Sequence, residues 1–209
     1  MPAYDVFLSK VLIQTPGCPD ITVLETARDV VRDFCSETHI WQEWGDIYLD
    51  SSIDVYDLVP PAKSEIITVS RLVRDNRDIS PVTSSMPGID VNFEGAVKGS
   101  ISRGWHFEPP DSVRFAALPS EQGIVYARMV LMPEADADSF PDWLWQKYQE
   151  GLVSGVFAKL FIQHGMKWSN PGLAQLYLRD YNKKIGRAKV NLVKAHTNAS
   201  LRVKARRFV

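Results

Sequence analysis

The chain has 209 residues, of which 45% are hydrophobic and 23% are charged, and its formal net charge is −1. These values are typical of a soluble globular protein with one domain, and they exclude a collagen-like or low-complexity chain. The N-terminal segment lacks the pattern of a secretory leader, and no apolar run approaches the roughly 20 residues that span a bilayer. We therefore expect a cytosolic site of synthesis and no membrane partner.

Positive charge is concentrated at the C-terminal end. Residues 181–209 carry nine Lys and Arg and no acidic residue. The other 15 basic residues stand against 25 acidic ones in residues 1–180, which gives that part of the chain a formal charge of about −10. Such an asymmetry predicts that the basic end binds a partner.

The sequence contains no familiar signature of a cofactor site or an active site. The phosphate-loop, dinucleotide, hydrolase and zinc-protease motifs are all absent. Cys18 and Cys35 lack CxxC spacing and the four histidines lack ligand spacing, so we predict no cofactor, no metal and no catalytic residue. Glu134, Asp136 and Asp138 could perform acid–base chemistry, but a solvated acidic loop before a helix explains them better.

Residues 20–40 are predicted to form the first helix. Thr22 and Glu25 have the spacing of a capping box. Apolar residues recur at helical spacing through the segment: Val23, Ala27, Val30, Val31 and Phe34.

From residue 45 to 133 the pattern changes to short β-branched or aromatic runs. The predicted strands are 66–73, 112–118 and 123–132, and residues 84–104 are predicted to be a long loop or flexible hairpin.

Helical periodicity returns at Pro141 and again at Pro171, where Asn170 is a favourable N-cap. The helix that begins near Pro141 carries a stripe of small residues: Gly151, Gly155 and Ala158. Glycine costs about 1 kcal/mol relative to alanine inside a helix, so this stripe indicates the close approach of another helix. Ala27 on the first helix is the predicted contact.

The order helix, strands, helix, helix predicts an α+β fold. We expect an antiparallel helical bundle with an inserted all-β module and an extended C-terminal arm. The bundle is assigned to residues 1–44 and 139–195, the β module to residues 45–138, and the C-terminal arm to residues 196–209.

The C-terminal arm has three interpretations. It could be a solvated, disordered terminus, it could neutralise the phosphates of a nucleic acid, or it could dock on a protein. Residues 201–207 alternate apolar and basic side chains with a period of two for most of their length. This alternation favours a strand that is added to the edge of a partner's sheet.

Three stretches of the chain share a family pattern. Residues 27–43 contain an early helix with an R-x-F-C end, residues 56–76 lead through Pro-Pro into a strand, and residues 128–189 combine two helices. The first of those two helices follows a Pro-Asp pair, and the second begins with W-x-x-P at Trp168. In order and spacing, the three stretches resemble the head-to-tail adaptor, or connector, family of tailed bacteriophages, particularly the short-tailed podovirus type.

The resemblance implies a non-enzymatic structural protein of the virion, assembled in the cytoplasm of the host bacterium. Such adaptors form a ring, commonly of twelve subunits, beneath the portal, and the ring continues the DNA channel into the tail. The implied partners are the portal protein, neighbouring adaptor subunits and a downstream tail or nozzle protein. Genomic DNA would pass through the channel without specific binding.

Adaptors of this family commonly send their C-terminal segment onto the portal. Carried onto this chain, the portal-docking residues are Leu201, Arg202, Val203, Lys204, Arg206, Arg207 and Phe208. Residues 84–104 become a candidate contact to the tail. The alternative function is a nucleic-acid-binding module that uses the same basic C-terminal tail.

Overall fold

A computed structural model describes residues 3–82, 98–99 and 104–196 of the chain. The N-terminal part forms a short 3₁₀ helix (Tyr4–Phe7) and a one-turn helix, α1 (Leu8–Val11). Three longer helices follow in the chain: α2 (Asp20–Thr38), α3 (Asp142–Phe161) and α4 (Pro171–His196). None of the described helices is long and apolar enough to cross a membrane.

The described strands form two antiparallel sheets and one parallel pair. Their bounds are β1 (Gln42–Leu49), β2 (Val55–Asp57), β3 (Ser64–Arg74), β4 (Arg77–Ile79), β5 (Lys98–Gly99), β6 (Trp105–Glu108), β7 (Ser112–Phe115), β8 (Leu118–Pro119) and β9 (Gly123–Pro133). The larger sheet has the order β1-β9-β3-β4 and the smaller one the order β2-β7-β6, while β5 pairs with β8. In the larger sheet β1 is an edge strand, and it pairs with β9 along its whole length.

Helix α2 lies at the centre of the core. Its buried face has no solvent exposure at six positions: Val23, Ala27, Val30, Val31, Phe34 and Cys35. It contacts β9 on one side and α3 on another. Arg32 also joins α2 to the larger sheet, because its guanidinium donates to both carboxylate oxygens of Glu65, at 3.1 and 3.2 Å, and to the carbonyl of Pro133.

Three helices meet at Gly155 of α3. A β-carbon at this position would lie 2.7 Å from Cγ1 of Val30 on α2 and 2.9 Å from Cε2 of Tyr181 on α4. At Gly151 a β-carbon would lie 3.0 Å from Cβ of Lys184, also on α4. The two glycines therefore allow α4 to pack closely on α3, and Gly155 also allows α2 to approach. Val30 lies one turn beyond Ala27, the contact proposed from the sequence.

The predicted architecture of a helical bundle with an inserted all-β module is wrong. The fold is mixed α/β, and the strands are spread along the described chain in separate sheets. The inner face of the larger sheet packs directly on α2, so helices and strands share one hydrophobic core. The order of elements along the chain cannot reveal this, because it does not specify which faces pack together.

The longest helices and strands lie near the positions that the sequence predicted. Helices α2, α3 and α4 lie where periodicity predicted them, and β3 and β9 include the strands predicted at 66–73 and 123–132. Asn170 caps α4, because its Oδ1 accepts a hydrogen bond from the backbone nitrogen of Leu173 at 3.1 Å. The prediction of a capping box at Thr22 and Glu25 is wrong, because α2 begins at Asp20 and Thr22 lies inside the helix. The loop that connects the first helix to the first strand is also shorter than predicted, because α2 ends at Thr38 and β1 begins at Gln42.

Substitution of the α3 glycine tests the three-helix contact. Gly155→Ala should lower the free energy of unfolding by about 1–3 kcal/mol, because the new methyl group overpacks the core against Val30 and Tyr181. Gly186→Ala is the matched control, since Gly186 lies on α4 and a β-carbon there would point into open space. That control should gain about 0.5–1 kcal/mol from helix propensity. Urea unfolding measures both, and equal effects of the two substitutions would contradict the contact.

Candidate interaction surfaces

The solvent face of the larger sheet carries a patch of large apolar side chains. Strand alternation directs Ile47 and Leu49 of β1 into the core and turns the even-numbered residues outward. The exposed members of this aromatic patch are Trp44 (50% exposed), Tyr48 (69%), Ile124 (40%) and Tyr126 (45%). The register pairs Tyr48 with Ile124, so β1 and β9 present one continuous surface. Aromatic patches of this kind mark interaction sites on soluble proteins.

Asp46 lies at the centre of the aromatic patch. It is two residues from both Trp44 and Tyr48 on β1, and it is directly opposite Tyr126 on β9. Side chains at such positions on one sheet face are neighbours. Asp46 is exposed and has no ion-pair partner among the described residues. A carboxylate surrounded by aromatic rings is suited to hold a cationic side chain, by charge and by cation–π attraction.

Two arginines border the aromatic patch. The guanidinium of Arg128 lies over the ring of Trp44, 5.5 Å from its centroid. Burial, followed by repulsion from Arg71, lowers the pKa of Arg128. Arg71 forms a bidentate pair with Asp78 of β4, and this hydrogen bonding raises the pKa of Arg71. The β3 side of the face is therefore internally paired, whereas the β1 side has the unpaired carboxylate.

Helix α4 presents a cationic stripe on a different side of the protein. Arg179, Lys183 and Arg187 recur at intervals of four residues, and all three are exposed. They point away from Tyr181 and Ile185, which are buried against the other helices. None of the three is in an ion pair with any residue in the described ranges. The aromatic patch and the cationic stripe lie on different elements: the sheet packs its inner face on α2, whereas α4 packs on α3 and α2.

Other basic residues of α4 are used within the protein. Lys184 pairs with Glu150 of α3, and Lys189 pairs with Glu37 of α2 at 3.0 Å. The hydrogen bond from Lys184 lowers the pKa of Glu150. A groove of about 600 Å³ lies between α2 and α4 and includes Lys189 and Tyr181 in its lining. These ion pairs hold α4 on its neighbours, whereas the three residues of the cationic stripe are exposed and take no part in them.

The acidic residues near the start of α3 also have structural partners. Lys63 lies 3.8 Å from Asp136, and Arg28 lies 3.7 Å from Asp138. These pairs connect the loop after β9 to the body of the protein and need no substrate to explain them. No group of three or more His, Cys, Asp or Glu residues within the described chain is arranged to hold a metal ion. Cys35 is fully buried, and burial raises the pKa of its thiol to about 12.

The predicted portal-docking residues, 201–208, lie outside the described residues, and so does most of the 84–104 segment. Both assignments stay predictions. The predicted helix-packing residues are all in the core of the helical layer: Ala27, Gly151, Gly155 and Ala158.

Sequence reasoning missed both candidate surfaces. The signal for the aromatic patch was present in β1 as the alternation of Trp44, Asp46 and Tyr48 with smaller or core residues. The signal for the cationic stripe was the four-residue spacing that begins at Arg179, two residues before the segment that was counted as the basic end.

No protein-family model matches the chain, and no curated protein matches it.

Neighbouring positions on β1 test whether the aromatic patch has a structural role. Tyr48→Thr should change the free energy of unfolding by less than about 0.5 kcal/mol, because Tyr48 is mostly exposed. Ile47→Ala should cost about 2–5 kcal/mol, because Ile47 is only 2% exposed. Chemical denaturation of both variants makes the comparison. A large loss with Tyr48→Thr would mean that the patch stabilises the fold and is not available to a partner.

Proposed function

We propose that this protein is a non-enzymatic structural protein of a tailed bacteriophage, a head-to-tail adaptor. Its subunits form a ring beneath the portal, and the ring continues the DNA channel and connects the capsid to the tail. The proposal rests on the sequence resemblance of residues 27–43, 56–76 and 128–189 to that family. It does not rest on an inserted β module, which the fold lacks.

One structural observation supports the ring. The aromatic patch and the cationic stripe are two different surfaces, one on the larger sheet and the other on α4. A closed ring needs heterologous contacts, in which one surface of each subunit meets a different surface of the next. A self-complementary dimer would need only one such surface. The pair of unlike surfaces therefore favours a ring over a twofold dimer.

The C-terminal arm would reach the portal from the end of α4. Helix α4 has 26 residues, so it is about 39 Å long, and it ends at His196. The arm continues from that end with alternating apolar and basic side chains. A partner that is recognised through such a strand supplies a sheet edge and acidic side chains.

A nucleic-acid-binding module is the alternative function. The observation that favours it is the spacing of Arg179, Lys183 and Arg187, which rise by about 6 Å along α4 at each step. Each phosphate that such cations neutralise steepens the salt dependence of binding by about 0.9 in a log–log plot. Use of the stripe together with the arm would give a slope of about −5 or steeper.

Variants of the C-terminal arm separate the two functions. Removal of residues 197–209 should abolish binding to portal rings and leave the unfolding midpoint unchanged, because the arm follows the last helix. The double variant Leu201→Ser with Val203→Ser keeps every charge but removes the apolar face of the arm. It should bind portal rings weakly and bind DNA as the wild type does. Pull-down on portal rings and DNA titration at several salt concentrations provide the measurements.

Portal binding that survives the removal of residues 197–209 would rule out the assigned role of the arm. DNA binding with a slope near −5, together with no binding to portal rings, would favour the alternative function instead.

A further inference from the structure

We propose that the cationic stripe of α4 in one subunit binds the aromatic patch of the larger sheet in the next subunit. This inference rests on the ring proposed above and identifies the two surfaces that join neighbouring subunits. The occupant of the aromatic patch is a second copy of this chain.

Charge complementarity is the first argument for this contact. The aromatic patch has an unpaired carboxylate, Asp46, at its centre, and the stripe has three cations without partners among the described residues. The central cation of the stripe is Lys183. A contact between Lys183 and Asp46 would neutralise both charges in one charge-assisted hydrogen bond.

The spacing of the two surfaces also agrees. Arg179 and Arg187 are eight residues apart on a helix, so they are separated by about 12 Å along its axis. Trp44 and Tyr48 are four residues apart on a strand, so they are separated by about 13 Å. A helix that lies along β1 can therefore place one arginine over each aromatic ring while Lys183 meets Asp46. Arginine over Trp or Tyr is a favourable cation–π pair.

The position of Arg128 limits how the helix can lie on the patch. Its guanidinium already covers one side of the Trp44 ring, and it adds positive charge at the β3 side of Trp44. The incoming helix must therefore approach over β1, where the open edge of the sheet and Asp46 lie. This approach keeps the α4 cations on the side of the patch that has no positive charge of its own.

The two surfaces can be occupied at the same time. Each subunit can donate α4 to one neighbour and accept α4 of another on its sheet, because the two surfaces lie on different elements and have no residue in common. Such a contact is heterologous, and it gives a ring when the rotation between subunits closes. The contact uses no residue of the C-terminal arm, so it does not compete with a partner that binds the arm.

Charge reversal on each surface tests the contact in the full-length protein. Asp46→Lys and Lys183→Glu should each weaken the concentration-dependent self-association of the wild type by at least about 30-fold, because each places like charges together. An equimolar mixture of the two variants should associate again, because Lys183 of one variant meets Asp46 of the other. Glu25→Lys and Lys167→Glu are the controls: both change charge at exposed sites without a described ion pair, and both should associate as the wild type does.

Sedimentation velocity over a range of concentrations measures the association, and circular dichroism checks that every variant is folded. Wild-type protein that stays monomeric at millimolar concentration would overturn the contact, and so would variants that associate normally. Loss of DNA affinity in Lys183→Glu but not in Asp46→Lys, with unchanged self-association, would identify the stripe as a nucleic-acid surface. Portal binding is measured in parallel. If portal binding is normal but the charge-reversal variants associate as the wild type does, only this contact is rejected. If the mixture of the two variants associates again but the protein does not bind portal rings, the adaptor function is rejected.

Discussion

The close approach of three helices at Gly155 is the constraint that fixes how α2, α3 and α4 pack together, and it therefore sets the orientation of the cationic stripe. Only a residue without a side chain allows Val30 and Tyr181 to come so near the backbone of α3. Tyr181 also donates a hydrogen bond from its hydroxyl to the carbonyl of Val30 at 3.3 Å, so α4 is joined to α2 at the same point. Burial at this junction raises the pKa of the Tyr181 hydroxyl, which therefore remains a neutral donor.

Fixing α4 in this way determines which of its residues face the solvent. Once Tyr181, Ile185 and Ala188 are buried, helical geometry turns residues 179, 183 and 187 outward. On the other side of α2, the larger sheet buries Ile47 and Leu49, and strand alternation exposes the intervening aromatic residues. The two candidate surfaces are thus direct consequences of how the core is packed.

The sequence predicted the elements well where one periodic pattern runs for many residues. Helices α2 and α4 each have a buried stripe, the second half of α3 is buried on most sides, and β3 and β9 are the longest strands. The sequence did not predict the packing of the sheet on α2, because burial of Val31 and Phe34 is equally consistent with contact to helices or to strands. The role of residues 201–208 stays a prediction, since they lie outside the described residues.

The candidate surfaces escaped prediction for a different physical reason. The residues that share one face of a strand or helix can be identified only when it is known which side of that element packs on the core. Asp46 is one of many acids in the sequence, and it becomes distinct only because β1 places it between Trp44 and Tyr48 and opposite Tyr126. A count of charges along the sequence also does not separate two kinds of basic residue. Lys184 and Lys189 form ion pairs within the protein, whereas Lys183 and Arg187 form none with the described residues.

The cationic stripe carries an energetic disadvantage for an isolated subunit. Like charges four residues apart on a helix destabilise it by about 0.2–0.5 kcal/mol for each pair, and the stripe contains two such pairs. The Lys184–Glu150 and Lys189–Glu37 contacts hold α4 in place but do not neutralise Arg179, Lys183 or Arg187. An anionic partner would remove this repulsion, so the free energy of α4 is lowered most when the stripe is covered. Asp46 on the sheet lacks a cationic partner among the described residues, and the stripe lacks an anionic one. The contact between two subunits would supply both partners.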